Sequence, residues 1–220
     1  MKQVETPAQQ FSINAHSSIR IEDAQRRLVV WFDPFGLNGS EPHDADIVFF
    51  THSHYDHFSP EDWRAVSHES TCFVMPKSMR AEAESDGVPT SRIVEVNPGE
   101  RLEVRGVPVQ AVAAYNPAKP CHPKSNGWVG YVVSLCNLLI YVTGDTDETP
   151  ESLATMCDVL FVPCGGTYTF DAQEAAVFAN KLHPKLAIPT HYGAITGTPA
   201  DGARFRQALN PAIDSLELIS

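Results

Sequence analysis

Short apolar runs, each closed by glycine, proline, asparagine or aspartate, recur along the whole chain. "FSINA" (11–15), "SSIRIE" (17–22), "LVVWFDP" (28–34) and "DIVFF" (46–50) are rich in β-branched and aromatic residues, which predicts four short strands. The period then changes. Ser59-Pro60-Glu61-Asp62 offers an N-cap serine, proline at the first helical position and acids in the first turn. "PKSMRAEAESDG" (76–87) reads as a second helix ending at Gly87. Strand-like stretches resume at "RIVEV", "RLEVRG", "VPVQAVAA", "GWVGYVVSL" and "NLLIYVTGD". In the last third the elements alternate. Thr149-Pro150-Glu151 opens a short helix, "DVLFVP" is a buried strand, and Asp171 with Glu174 forms a capping box before "AAVFANKL". "KLAIPTH" is another strand and "ADGARFRQAL" a last helix. Strands clustered in both halves, with helices between and after them, imply two sheets packed together with helices on the outer faces.

Composition narrows the function classes more than it changes this picture. At 220 residues, 43% hydrophobic and 20% charged, the sequence is expected to form one domain over residues 1–220, with a substantial core. A formal net charge of −11 speaks against nucleic acid or an anionic membrane as a general partner, because both require basic surface. The opening "MKQVETPAQQ" lacks an apolar segment of the kind a leader needs, and no run of 18 apolar residues occurs. Five unpatterned cysteines then read as reduced thiols, mostly buried, which predicts a cytoplasmic protein. A small-molecule substrate is the expected partner. No heptad marks a self-association surface, and a homo-oligomer stays open.

The chemistry concentrates in "VFFTHSHYDHFSPED" (48–62). His52 and His54 are an i, i+2 pair directly after a strand; extended backbone projects both to the same side, toward one metal ion. Asp56 and His57 follow one turn later and can face a second ion. Imidazole nitrogen and carboxylate oxygen suit zinc at about 2.0–2.2 Å, and also suit manganese and iron. Three other apolar strands each carry a ligand type at one end: Asp145 in "IYVTGDTD", His191 in "LAIPTHYG" and His122 in "NPAKPCHPKSNGW". Ligands at several strand ends make a rigid site.

These motifs resemble those of the metallo-β-lactamase superfamily, and within it the branch that includes the ascorbate-6-phosphate lactonases and related hydrolases. "THSHYDH" is similar to the superfamily's first metal motif, "TGD" to its aspartate motif and "PTHYG" to its last histidine motif, while "AHSSIRIE" with "WFDPF" resembles the branch's opening strands. The resemblance spans about residues 11–195 and implies an αββα sandwich with a two-metal cleft along one sheet edge. It also implies that His52, His54 and His122 bind the first ion, that Asp56, His57 and His191 bind the second, and that Asp145 bridges them. Asp145 is preferred over Asp147 as the bridge because it directly follows Gly144. Two divalent ions, zinc foremost, would share a water or hydroxide that attacks a small-molecule ester, lactone or phosphoester, with Asp56 orienting it.

Around this set, Tyr168 and Thr167 in "GGTYT" are candidate substrate contacts, Tyr168 also as an oxyanion donor. Lys124 and Asn126, with Lys119 and Asn116, could supply an anion-binding patch beside His122, or merely a solvated loop. Cys121 and Cys164 read as small buried thiols and not as ligands. His16 reads as structural or supporting, Asp33 as fixing the turn after its strand, and His43, His68 and His183 as surface or capping residues. Two other functions compete: a non-catalytic module stabilised by a structural metal, and a nuclease or phosphodiesterase. Structural zinc sites are usually closed, four-coordinate and rich in cysteine, and a nuclease calls for a basic footprint; this sequence supplies neither.

Overall fold

A computed structural model describes residues 10–219; the first nine residues of the stretch read above for a leader lie outside them. Among the described residues thirteen strands form two sheets, filled in chain order. The first sheet runs β1 (Phe11–Ile13), β2 (Ile19–Asp23), β3 (Leu28–Phe32), β4 (Ala45–Phe49), β5 (Ser67–Pro76), β6 (Ile93–Val96). The second runs β13 (Asp214–Ser215), β12 (Leu186–Thr190), β11 (Val159–Pro163), β10 (Leu138–Val142), β9 (Val129–Leu135), β8 (Val107–Ala113), β7 (Arg101–Val104). Each sheet starts as an antiparallel meander, β1 to β3 and β7 to β10, and continues with parallel strands.

The parallel strands are apolar on both faces because both faces are covered. In β3 and β4, Val30, Phe32, Ile47 and Phe49 point between the sheets, where they meet Tyr131, Val133, Ile140 and Phe161. Their alternates Trp31, Val48 and Phe50 point outward, under α1 (Pro60–Val66) and α2 (Arg80–Ser85). On the far side, α4 (Ala172–Leu182) buries Ala175, Ala176, Phe178 and Ala179 against β11 and against α5 (Asp201–Ala208), which contributes Phe205. The small α3 (Pro150–Leu153) completes the helices. The architecture is thus the expected αββα sandwich.

The end signals act as the sequence suggests. Ser59 caps α1 with Pro60 in its first turn, Asp171 and Glu174 close a capping box on α4, and His183 ends α4 in the left-handed region. The sequence pattern hides two strands, the two-residue β13 and, more consequentially, β5. Its first four residues, Ser67-His68-Glu69-Ser70, are polar and partly to fully exposed, and only Cys72–Pro76 enters the buried part of the sheet beside β4 and β6. The 76–87 helix in turn begins as a 3₁₀ turn over Lys77–Met79 before α2. Among the described residues no helix is long and apolar enough to cross a membrane.

Candidate metal centre

All the predicted ligands meet at one edge of the sandwich, where β3, β4, β10 and β12 end and β9 begins. Ligand sites form at the carboxyl ends of parallel strands because the diverging loops leave a crevice there. His52, His54, Asp56 and His57 lie just past β4, Asp145 past β10, His191 past β12, and His122 on the loop entering β9. Two groups of potential ligand atoms result, each with its atoms within 4.8 Å of one another: His52, His54, His122 and Asp145, and His16, Asp56, His57 and His191. Apart from His16, the grouping is the expected one.

Backbone geometry aims several of these side chains. His16, Asp33, His122 and His191 all have positive φ, between 44° and 59°, which non-glycine residues adopt at some cost. Asp33 and His191 directly follow β3 and β12, while His16 and His122 lie within the β1–β2 and β8–β9 loops, and at each the left-handed residue turns the chain sharply. Gly144 permits the same for Asp145. Its φ is +64°, and a Cβ there would lie 2.9 Å from that of Thr51. The two sheets are stitched at this edge by the Val129 amide donating to the Thr51 carbonyl (3.2 Å), the Tyr131 hydroxyl to the Phe50 carbonyl (2.8 Å) and the His191 amide to the His16 carbonyl (3.0 Å).

Asp33 does far more than fix a turn. Buried at the end of β3, it accepts from the Thr51 amide (2.8 Å), the Thr51 hydroxyl (2.6 Å) and Nδ1 of His57 (2.8 Å). Because the Thr51 hydroxyl donates to Asp33, it can only accept from Nδ1 of His52, 2.9 Å away. One carboxylate therefore sets the orientation of a histidine in each group and leaves both Nε2 atoms facing the crevice. Such backing by a carboxylate is how metal-ligating histidines are held and made more basic. In the loop before β9, the Asn116 amide nitrogen lies 3.2 Å from Nδ1 of His122 and donates to the Tyr168 carbonyl at 2.6 Å, fixing both. Neither role is readable from spacing, because Asp33 and Asn116 stand 24 and 6 residues from the histidines they hold.

The residues fit divalent cations on several counts. Six buried atoms of this set, Nδ1 of His16, Nε2 of His57, Nε2 of His122, Oδ1 of Asp145 and both ring nitrogens of His191, have no hydrogen-bond partner in the protein. Buried polar atoms are rarely left so. Burial pushes the imidazoles of His52, His54 and His16 down, toward the neutral form that ligates. Burial would push His57 down as well, but the carboxylates of Asp145 and Asp33 outweigh it and hold it well above its ordinary value. A positive charge is thus favoured at that point. Burial works against ionised Asp56, yet the hydrogen bond from His16 (3.0 Å) and the charge of His57 bring it down to about 2. Asp145 reaches both groups: its oxygens lie 3.3 Å from Nε2 of His122 and of His57, and 3.1 Å from Nε2 of His191. Asp147 points away and pairs with Lys119 at 2.5 Å.

The candidate substrate residues divide. Tyr168 lines a cleft of about 260 Å³ above the two groups. Lys124 does not line it. Its ammonium pairs with Glu151 at 2.6 Å and lies over the Tyr115 ring, while Lys119 is held by Asp147 and the Thr169 carbonyl. Asn126 ends a 3₁₀ turn outside the cleft, and Thr167 is exposed at φ +59° and outside it too. Of the two readings of this loop, the solvated one agrees with these contacts, because both lysines are paired with carboxylates outside the cleft. Cys121 and Cys164 belong to neither ligand group.

A family model described as a beta-lactamase superfamily domain matches residues 10–191. A UPF0173 protein of Pyrococcus furiosus is 29% identical over 197 residues, 88% of this chain and 87% of its own length. A UPF0173 metal-dependent hydrolase of Thermoplasma volcanium is 28% identical over 201 residues, again covering 88% and 87%. A solved metallo hydrolase from the archaeon Ignicoccus hospitalis superposes with a TM-score of 0.76 over 95% of this chain and 94% of its own, at 19% identity, a likeness of fold alone.

Proposed function

Since this chain belongs to the beta-lactamase superfamily, we propose that it is a metal-dependent hydrolase that cleaves a small-molecule ester or lactone with two divalent cations, zinc foremost. The observation that carries the reading is the convergence of buried, unpartnered nitrogen and oxygen atoms from five loops on one crevice. His52, His54 and His122 would hold one cation, Asp56, His57 and His191 the other, and Asp145, within 3.3 Å of His122, His57 and His191, would contribute to both. Bound there, the cations would polarise the attacked oxygen and lower the pKa of a shared water to about 7.

The chain's own groups do the rest. Asp56, ionised and tethered by His16, is an acceptor at the crevice wall and orients the attacking water by taking its hydrogen bond. Asp33 keeps the rings of His57 and, through Thr51, His52 from rotating. Tyr168, half exposed at the cleft, would donate to the oxygen on which charge develops. The opening of the site to a cleft supports catalysis over a structural metal.

Elemental analysis of the purified protein beside Asp145→Ala tests the reading. About two cations per chain in wild type, clearly fewer in the variant, together with esterase activity abolished by chelation, is the expected result. A wild type that takes up no zinc, manganese or iron, or turnover that survives chelation, overturns it.

A further inference from the structure

Three of the large apolar side chains left exposed, Tyr55 (67%), Tyr168 (49%) and Ile195 (40%), stand around this one cleft. They come from three separate loops. Tyr55 lies between His54 and Asp56 with its ring 6.3 Å from Phe35, Tyr168 is anchored through its carbonyl by Asn116, and Ile195 follows His191. Exposed aromatic and branched residues gathered over a polar floor are what a small-molecule site needs to hold an apolar body.

Charge points the same way. Among the described residues lining the cleft there is no lysine or arginine, and its charged groups are Asp56 and Asp145 on the floor. The nearest lysines of the neighbouring loop are neutralised by Asp147 and Glu151. The chain as a whole carries −11. On the floor, bound cations would answer Asp56 and Asp145, but the rim of Tyr55, Tyr168 and Ile195 carries no positive charge, so a second anionic group held there, beyond reach of those cations, would go unpaired at a desolvation cost. The cleft volume of about 260 Å³ is at the small end of small-molecule sites.

We infer that the substrate is a small, electrically neutral carboxylic ester or lactone with an apolar body packed between Tyr55, Tyr168 and Ile195, and that esters with a remote carboxylate or phosphate are selected against. The inference rests on the hydrolase reading above. In the reaction the acyl–oxygen bond breaks, water supplies hydroxyl to the acyl carbon and its remaining proton to the departing alkoxide.

Zinc-loaded protein is to be given ethyl hexanoate and monoethyl adipate, which differ by a methyl against a distal carboxylate. The uncleaved analogues N-ethylhexanamide and N-ethyladipamic acid are titrated by calorimetry in parallel. The neutral ester should show at least about tenfold higher kcat/KM, and the neutral amide at least about tenfold tighter binding. Tyr55→Ala and Tyr168→Ala, checked for wild-type zinc content, should each weaken amide binding about three- to tenfold, while Tyr168→Phe retains it. Equal handling of the pair, or preference for the acid, overturns the inference even if both esters are hydrolysed, and the hydrolase reading then stands alone. Discrimination between the amides without hydrolysis of either ester upholds the cleft assignment and sinks the hydrolase reading. Failure to bind either amide overturns the inference.

Discussion

Asp145 belongs to one ligand group and lies within 3.3 Å of His57 and His191 in the other, but the two groups are built differently. The group of His16, Asp56, His57 and His191 is buried throughout, and its members are braced by charge: Asp33 behind His57, His16 behind Asp56, and the His16 ring 3.7 Å from that of His191. The group of His52, His54, His122 and Asp145 is shallower. His54 is exposed, and the neighbours of His52 and His122 are the neutral Thr51 hydroxyl and Asn116 amide, with Trp128 packed against three of its rings. In a low-dielectric interior a charged partner fixes a ligand more firmly than a neutral one. The deep group should therefore hold its cation tightly, and the shallow one, nearer substrate, more loosely.

The severest test of that contrast is Asp33→Ala. It strips the acceptor from His57 directly and from His52 through Thr51, so both cations should weaken, each by about 10- to 100-fold in competition with a chromogenic chelator. A loss confined to one cation would show that the relay through Thr51 carries nothing. Gly144→Ala comes next. It asks an alanine to hold φ +64° with its Cβ against Thr51, and should lower stability by at least about 1–2 kcal/mol in urea unfolding. An unchanged midpoint would mean that this turn relaxes freely. Asn116→Ala touches the shallow group alone and should cost about tenfold in one cation's affinity, leaving the other as in wild type. If the tighter cation moves instead, the assignment of deep and shallow is reversed. Smallest of all, Lys124→Ala should leave KM for a neutral ester and the urea midpoint as in wild type, since it removes an exposed, solvent-screened ion pair with Glu151. A several-fold rise in KM would restore Lys124 to the substrate site.

Much of the scaffold was legible in the order of residues. Strands flagged by β-branched and aromatic runs appear where expected, because two-sided burial demands continuous apolar sequence, as in "LVVWF" and "DIVFF". Strand β5 escaped because its exposed first half, "SHES", carries no apolar signal and its partners on β4 lie 22 to 25 residues upstream, as Ala45 with Ser67 and Phe49 with Val74. The reading of Lys124 as part of an anion patch loses support for the opposite reason. A lysine beside a ligand histidine in sequence is free to find a carboxylate elsewhere, and Glu151 lies within 2.6 Å.

The sequence by itself determined which residues can ligate, since the i, i+2 geometry of His52 and His54 and the strand-end positions of Asp145 and His191 are local properties, whereas their division between two ions was an implication of the family resemblance. Tertiary structure alone decided what braces them. His16 and Asp33 belong to segments that show no ligand spacing, and they gain their roles only when β1, β3 and β4 bring three chain-distant polar groups to one dry edge. Buried charge must be satisfied by whatever the fold places within hydrogen-bond reach, and that distance is not written in sequence separation.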